Sequence, residues 1–317
     1  MASVSVLFAI FPGSYRLEPD SIVWIEKTKE KARKDSRFDR IKMIEPMDVA
    51  GTPITMLRNR AVQVALENGF DYLCMVDADM APDKQGRGEN GWIPSDKPFW
   101  ESSWDFIFEK HLHKPCMIFA PYVGPPPHEN VYVFLWRSRQ SANPNVDHQL
   151  EGYTREEAAL MAGIQPCAAG PTGVILIDMR GIEFMTHPLF YYGYEGPKET
   201  KKVMTEDVAF TRDWTMTPAP KYGCKYGMPL YCNWDAWACH WKLKACGKPE
   251  LLRNEQVSET YREAALRNIN AAERQVLLGD VVEQADLQAQ MNMESLTPKS
   301  CFPNYADPCK MAEENAV

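Results

Sequence analysis

No stretch of this sequence is long and apolar enough to cross a bilayer, no CxxC pair occurs, no tract is repeated or of low complexity, and positive charge is not in excess. Each absence removes a class of function. The N-terminal VSVLFAIF is too short to span a membrane and lacks the basic flank and small-residue cleavage site of a secretory leader. A soluble chain without a membrane span is therefore expected, with the cytosol as its compartment. The nine cysteines are odd in number, and Cys74, Cys116 and Cys167 lie inside apolar runs. They read as reduced, buried thiols rather than as a disulfide or zinc framework. A net charge of −8 gives no global attraction to nucleic acid or to anionic lipid, so any partner has to be argued from local features.

What is present suits a folded enzyme-sized domain. The chain has 317 residues, 45% hydrophobic and 25% charged, enough for one large core plus an appendage. The apolar run at 3–11 reads as a first strand covered on both faces, with Pro12 and Gly13 opening a loop. A helix is expected over about 20–34 and a second strand at RIKMIEP, 40–46. GTPITMLRNRAVQVALENGFD then carries helix signals: Thr52 as N-cap, Pro53 at the first helical position and Gly69 near the stop. Its inward stripe is Leu57, Ala61, Val64 and Ala65. A third strand follows in YLCMVDADM.

Alternating strands and helices predict an α/β fold, Rossmann-like, with a mostly parallel sheet flanked by helices and right-handed crossovers. The segment 81–106, rich in Gly, Pro and Trp, reads as too polar for core and as a functional loop or insertion. Strands resume in PCMIFAPYVG and VYVFLWR, a short helix is expected near 154–162, and AAGPTGVILIDMRGIEFM reads as a glycine-rich turn, an apolar strand and a helix start. Residues 1–245 are thus expected to form the main domain. Residues 246–317 would be an α-helical C-terminal appendage with a loosely held tail.

Ligands in such sheets bind at the carboxyl ends of the strands, and Asp77 and Asp79 fall at that end. Two carboxylates at i and i+2 on a strand project to one side, where they suit Mg²⁺ or Mn²⁺ shared with substrate phosphates. A solvated turn is the plain alternative. Further along, TEDVAF supplies Glu206 and Asp207, and ACHWK supplies His240. Taken alone, the acidic pair reads as the charged first turn of a helix capped by Thr205, and His240 as a core histidine.

In their order, DxD, glycine-turn strand, ED pair and late histidine, these stations resemble glycosyltransferases of the GT-A fold, in particular the inverting, family-2-like group. The resemblance covers about residues 3–242. It implies a nucleotide-sugar donor, UDP-linked in the first instance, and a Mn²⁺ or Mg²⁺ ion held by Asp79 and His240. Asp77 would contact the donor ribose or reach the metal through water. Arg58, Asn59 and Pro12 would line the donor side, and Gly170, Thr172, Gly173 and Trp237 the acceptor side. Asp207 would be the general base and Glu206 its orienting neighbour. Arg58 reads equally as part of a solvated helix face.

The segment 187–205, with its glycines, tyrosines and lysines, reads as a lid or as an exposed loop. Lysines and aromatics interleaved over 221–248 suit a saccharide or a hydroxylated base in DNA as acceptor, or else simple strand core. Two other enzyme classes share the pattern. A nucleotidyltransferase would want a glycine-rich basic loop after the first strand, where FPGSYRLEPD offers one Gly and one Arg. A phosphotransferase of the haloacid dehalogenase type would want Thr or Val after the second Asp, where Met80 stands.

Overall fold

The computed structural model describes residues 3–11, 19–44, 52–124, 130–136, 150–195, 201–241 and 245–246. Pro12 and nearly all of the C-terminal extension lie outside them. The first half runs as β1 (Val4–Phe11), α1 (Pro19–Lys34), β2 (Phe38–Ile44), α2 (Ile54–Glu67), β3 (Tyr72–Asp77) and α3 (Phe99–Lys110). The second runs as β4 (Met117–Phe119), α4 (Arg155–Leu160), β5 (Ile164–Pro166), β6 (Val174–Asp178), α5 (Met179–Ile182), α6 (Glu206–Met216) and β7 (Leu230–Asn233).

These seven strands form one sheet in the order β5-β7-β4-β6-β3-β1-β2. β1 pairs in parallel with both β2 and β3, and β7 with β4. β6 runs antiparallel between β3 and β4, and β5 antiparallel at the edge. The near-continuous apolar run of β1 follows from burial on both faces. Leu7, Ala9 and Phe11 join a cluster with Leu57 and Ala61 of α2 and Phe210 and Trp214 of α6. Val6, Phe8 and Ile10 join another with Trp24 and Ile25 of α1 and Trp100 and Trp104 of α3. Successive side chains of a strand point to opposite faces, so one strand nails both layers together.

Two expectations need correction. The segment 81–106 is largely ordered structure: Lys84–Gly88 and Gly91–Pro94 pair as a hairpin, and α3 begins at Phe99. Phe99, Trp100, Ser103, Trp104 and Ile107 are buried, a helical stripe that packs on β1 and β2. Its apolar content is aromatic and follows a Gly- and Pro-rich hairpin, which makes the stretch look polar by composition. α2 starts one residue later than expected, with Pro53 in the N-cap position and no side-chain cap bond. By contrast, α4 has a full capping box between Thr154 and Glu157. Among the described residues no helix is long and apolar enough to cross a membrane. Cys74, Cys116, Cys224, Cys232 and Cys239 are buried, and none of them forms a disulfide among the described residues.

Candidate functional site

β3 delivers Asp77 to its carboxyl end, where its backbone N–H donates to the Gly173 carbonyl at 2.8 Å and Ala78 N–H donates to Phe11 at 3.1 Å. The chain then leaves the sheet, and Met80–Ala81 pairs antiparallel with Cys239–Trp241, bringing Met80 opposite His240. Trp241 N–H donates to the Asp79 carbonyl at 2.7 Å. This small ladder explains how residues 161 positions apart meet: His240 Nε2 lies 3.1 Å from Asp79 Oδ2.

A second group gathers on Arg58 of α2, which is 2% exposed. Its Nη2 donates to both oxygens of Asp77, at 3.0 and 2.8 Å. Its Nη1 donates to Glu206 at 3.1 Å and to Asp207. Both acids lie in the first turn of α6, where the helix dipole favours negative charge. One guanidinium thus serves three carboxylates at a depth where charge is costly. Burial pushes the Asp77 carboxyl up, opposed by Arg58 and reinforced by Asp79 and Asp207. Burial and the Asp207 charge push Glu206 up to about 7, again against Arg58. Burial alone would lower Arg58, but Asp207, Asp77 and Glu206 more than offset it.

The expected site residues divide. Asp77, Asp79, Glu206, Asp207 and His240 converge at the carboxyl edge of the sheet. Arg58 is there too, but as the buried partner of the acids rather than as a donor-facing cation or a solvated one. Asn59 was expected on the donor side, yet its amide is saturated by structure. Its Nδ2 donates to Thr55 and Phe190 carbonyls, and its Oδ1 accepts from Leu189 and Phe190 N–H. Trp237 is 0% exposed and packs on Trp234 at 5.8 Å, so it is core rather than a face for an acceptor.

On the glycine turn, Gly170 exchanges hydrogen bonds with the Thr211 hydroxyl, at 3.0 and 2.9 Å, and a Cβ there would strike the Phe119 ring. Thr172 is 0% exposed and its hydroxyl has no hydrogen-bond partner among the described residues, and Gly173 carries the carbonyl that holds Asp77. Of the expected lid, Gly193–Glu195 pairs antiparallel with Lys201–Met204, and residues 196–200 lie outside the described set. Sequence reasoning missed Tyr122, whose ring meets that of His240 at 5.0 Å in a T-shaped contact. The available signal was its place just past a strand end, after Pro121.

Asp79 and His240 offer one carboxylate and one imidazole to a cation. Among the described residues no group of three or more His, Cys, Asp or Glu is arranged to hold one. Two such groups would serve an ion only if it took its other ligands from substrate oxygens and water, as Mg²⁺ and Mn²⁺ do at phosphates. Asp77 is engaged by Arg58 instead.

No protein-family model matches the chain, and no curated protein sequence matches it. A crystal structure of A197 from STIV is similar, with a TM-score of 0.41 and 12% identity, over 80% of this chain and 98% of that one. That distance assigns no family.

Proposed function

We propose that this chain is a metal-dependent glycosyltransferase, moving a sugar from a nucleotide-sugar donor to an acceptor hydroxyl with inversion. The observation that carries the reading is the meeting of the Asp79–His240 pair with the Arg58-linked Asp77, Glu206 and Asp207 at one strand edge. Asp79 and His240 would hold Mn²⁺ or Mg²⁺, which when bound supplies Lewis-acid stabilisation of the charge building on a departing diphosphate. Asp207 accepts the proton of the acceptor hydroxyl as its oxygen bonds to the anomeric carbon, an effect of about 10²–10⁴ in rate. The carbon–oxygen bond to the diphosphate breaks on the opposite face, which inverts the centre.

Arg58 fixes the base relative to Asp77 on the donor side, and Glu206 shares the same guanidinium nitrogen. UDP-sugars are the first donors to test, and saccharides or hydroxylated bases in DNA the first acceptors. A phosphotransferase in which Asp77 attacks is disfavoured, because both its oxygens are engaged by Arg58.

The test is thermal denaturation with a panel of nucleoside diphosphates, each with and without Mn²⁺. A ligand at 100 times its Kd adds about 2.7 kcal/mol of stability. A Mn²⁺-dependent rise with one base is expected, and no such rise across the panel refutes the reading. Asp207→Asn should abolish transfer while keeping that rise. Loss of the rise in this variant would reassign Asp207 to donor binding or to the fold.

A further inference from the structure

We propose that Tyr122 contacts the substrate, its hydroxyl donating a hydrogen bond to a ring hydroxyl of the sugar being transferred. The inference rests on the transferase reading above. Tyr122 follows β4 at the same sheet edge as Asp77. It is held from two sides: the adjacent Pro121 carbonyl accepts from Ala238 N–H at 3.0 Å, two residues before His240. Its ring lies on Gly173, where a Cβ would come within 2.8 Å of the ring and 3.0 Å of the hydroxyl. That glycine is the residue whose carbonyl holds Asp77 N–H. The phenol is therefore clamped between the Asp79–His240 pair and the Asp77–Arg58–Asp207 group.

What lies between those two groups follows from the geometry of displacement. The diphosphate belongs with Asp79 and His240, and the attacking hydroxyl with Asp207. In an in-line exchange the group between leaving oxygen and attacking oxygen is the sugar itself. A buried phenol ordinarily donates to a protein acceptor. Tyr122 is 5% exposed, and its hydroxyl makes no hydrogen bond among the described residues. An ordinary phenol keeps its proton at neutral pH, so the group can act as a donor. Such a donor suits any oxygen acceptor, and its position between the two groups is what selects a sugar hydroxyl.

Tyr122→Phe keeps the ring on His240 and Gly173 and removes only the O–H, so an unchanged unliganded Tm is expected and checks the fold. Release of nucleoside diphosphate is measured with Mn²⁺, a panel of saccharide and hydroxymethylated-DNA acceptors, and UDP-glucose, UDP-galactose, UDP-N-acetylglucosamine or GDP-mannose as donor. For whichever donor the wild type turns over, Tyr122→Phe should lower kcat/KM about ten-fold. The Mn²⁺-dependent thermal shift with the bare nucleoside diphosphate should stay at its wild-type value. Monodeoxy forms of that donor then locate the contact: one should slow the wild type by a similar factor and leave Tyr122→Phe no slower. Wild-type kcat/KM in Tyr122→Phe, or equal penalties in both proteins for every deoxy donor, overturns the assignment and leaves the transferase reading standing. No release by the wild type from any donor overturns the reading, and the assignment with it.

Discussion

Glu206→Gln tests whether the buried acid cluster is electrostatically strained. Glu206 is 9% exposed and shares the Arg58 guanidinium with Asp207 and Asp77. Its carboxyl, normally near 4.5, is pushed up to about 7 in the fold, first by burial and then by the Asp207 charge. A raised acid binds its proton more tightly folded than unfolded. Its favourable contribution is therefore complete below pH 4.5 and is lost progressively as pH rises through about 7. Between pH 5 and pH 8 the loss integrates to roughly 2 to 3 kcal/mol, at 1.36 kcal/mol per pH unit over the interval.

Gln cannot ionise, and its amide oxygen still accepts from Arg58, so the variant should lack this slope while keeping the contact. Urea denaturation of both proteins at pH 5, 6, 7 and 8 reads the difference directly. The variant should gain on the wild type by roughly 2 to 3 kcal/mol across that range, or about 5 to 10 °C in Tm for a domain of this size. Parallel stability curves for the two proteins would refute the reasoning. They would mean that Arg58 fully compensates Glu206 and that no strain is held there.

Two further changes probe the same frame. Arg58→Met removes the cation but leaves three carboxylates together, and should cost about 3–5 kcal/mol in chemical denaturation, more at pH 8 than at pH 5, where protonation relieves the repulsion. An equal cost at both pH values would show that the acids are not a charged cluster. Trp104→Ala removes a ring that is 0% exposed and meets Tyr72 at 4.7 Å and Phe38 at 4.9 Å, and should cost about 3–5 kcal/mol. A loss below about 1 kcal/mol would show that α3 is not part of the core.

Elements whose apolar pattern has one clear period were readable. β1 and β3 are runs of buried residues between loop signals, and α2 shows its inward stripe at Leu57, Ala61 and Ala65. Strand direction was not readable, since an apolar run such as Val174–Asp178 carries no sign of which way it pairs. The antiparallel placement of β6 follows from how the chain returns, which is tertiary. α3 was hidden because its stripe is built of Phe and Trp among serines and acids, while glycines and prolines crowd just ahead of it.

The acids of the site were readable because each ends or begins an element: Asp77 a strand, Glu206 and Asp207 a helix. Their shared partner was not. Arg58 lies 148 and 149 residues from Glu206 and Asp207, and nothing in an exposed-looking Arg-Asn pair on a helix distinguishes a buried hub from a surface charge. Asn59 and Trp237 show the opposite error. Residue types that suit ligands were used for hydrogen bonding and packing within the fold itself.

The charge count at this edge has a consequence for order of binding. Arg58 pairs with Asp77, Glu206 and Asp207 while Asp79 lies against His240, so even with Glu206 protonated the carboxylates outnumber the guanidinium. A diphosphate is itself an anion, and in a partly buried site its repulsion from these carboxylates is poorly screened. On the proposed reading the site would therefore be a weak receptor for a nucleotide alone and a better one with a divalent cation next to Asp79. On the proposed reading the cation has to arrive before or with the donor, and the thermal shift with nucleoside diphosphate should vanish in EDTA rather than merely shrink. A shift of full size without metal would place the diphosphate away from Asp79 and His240 and remove the reason for assigning them to the cation.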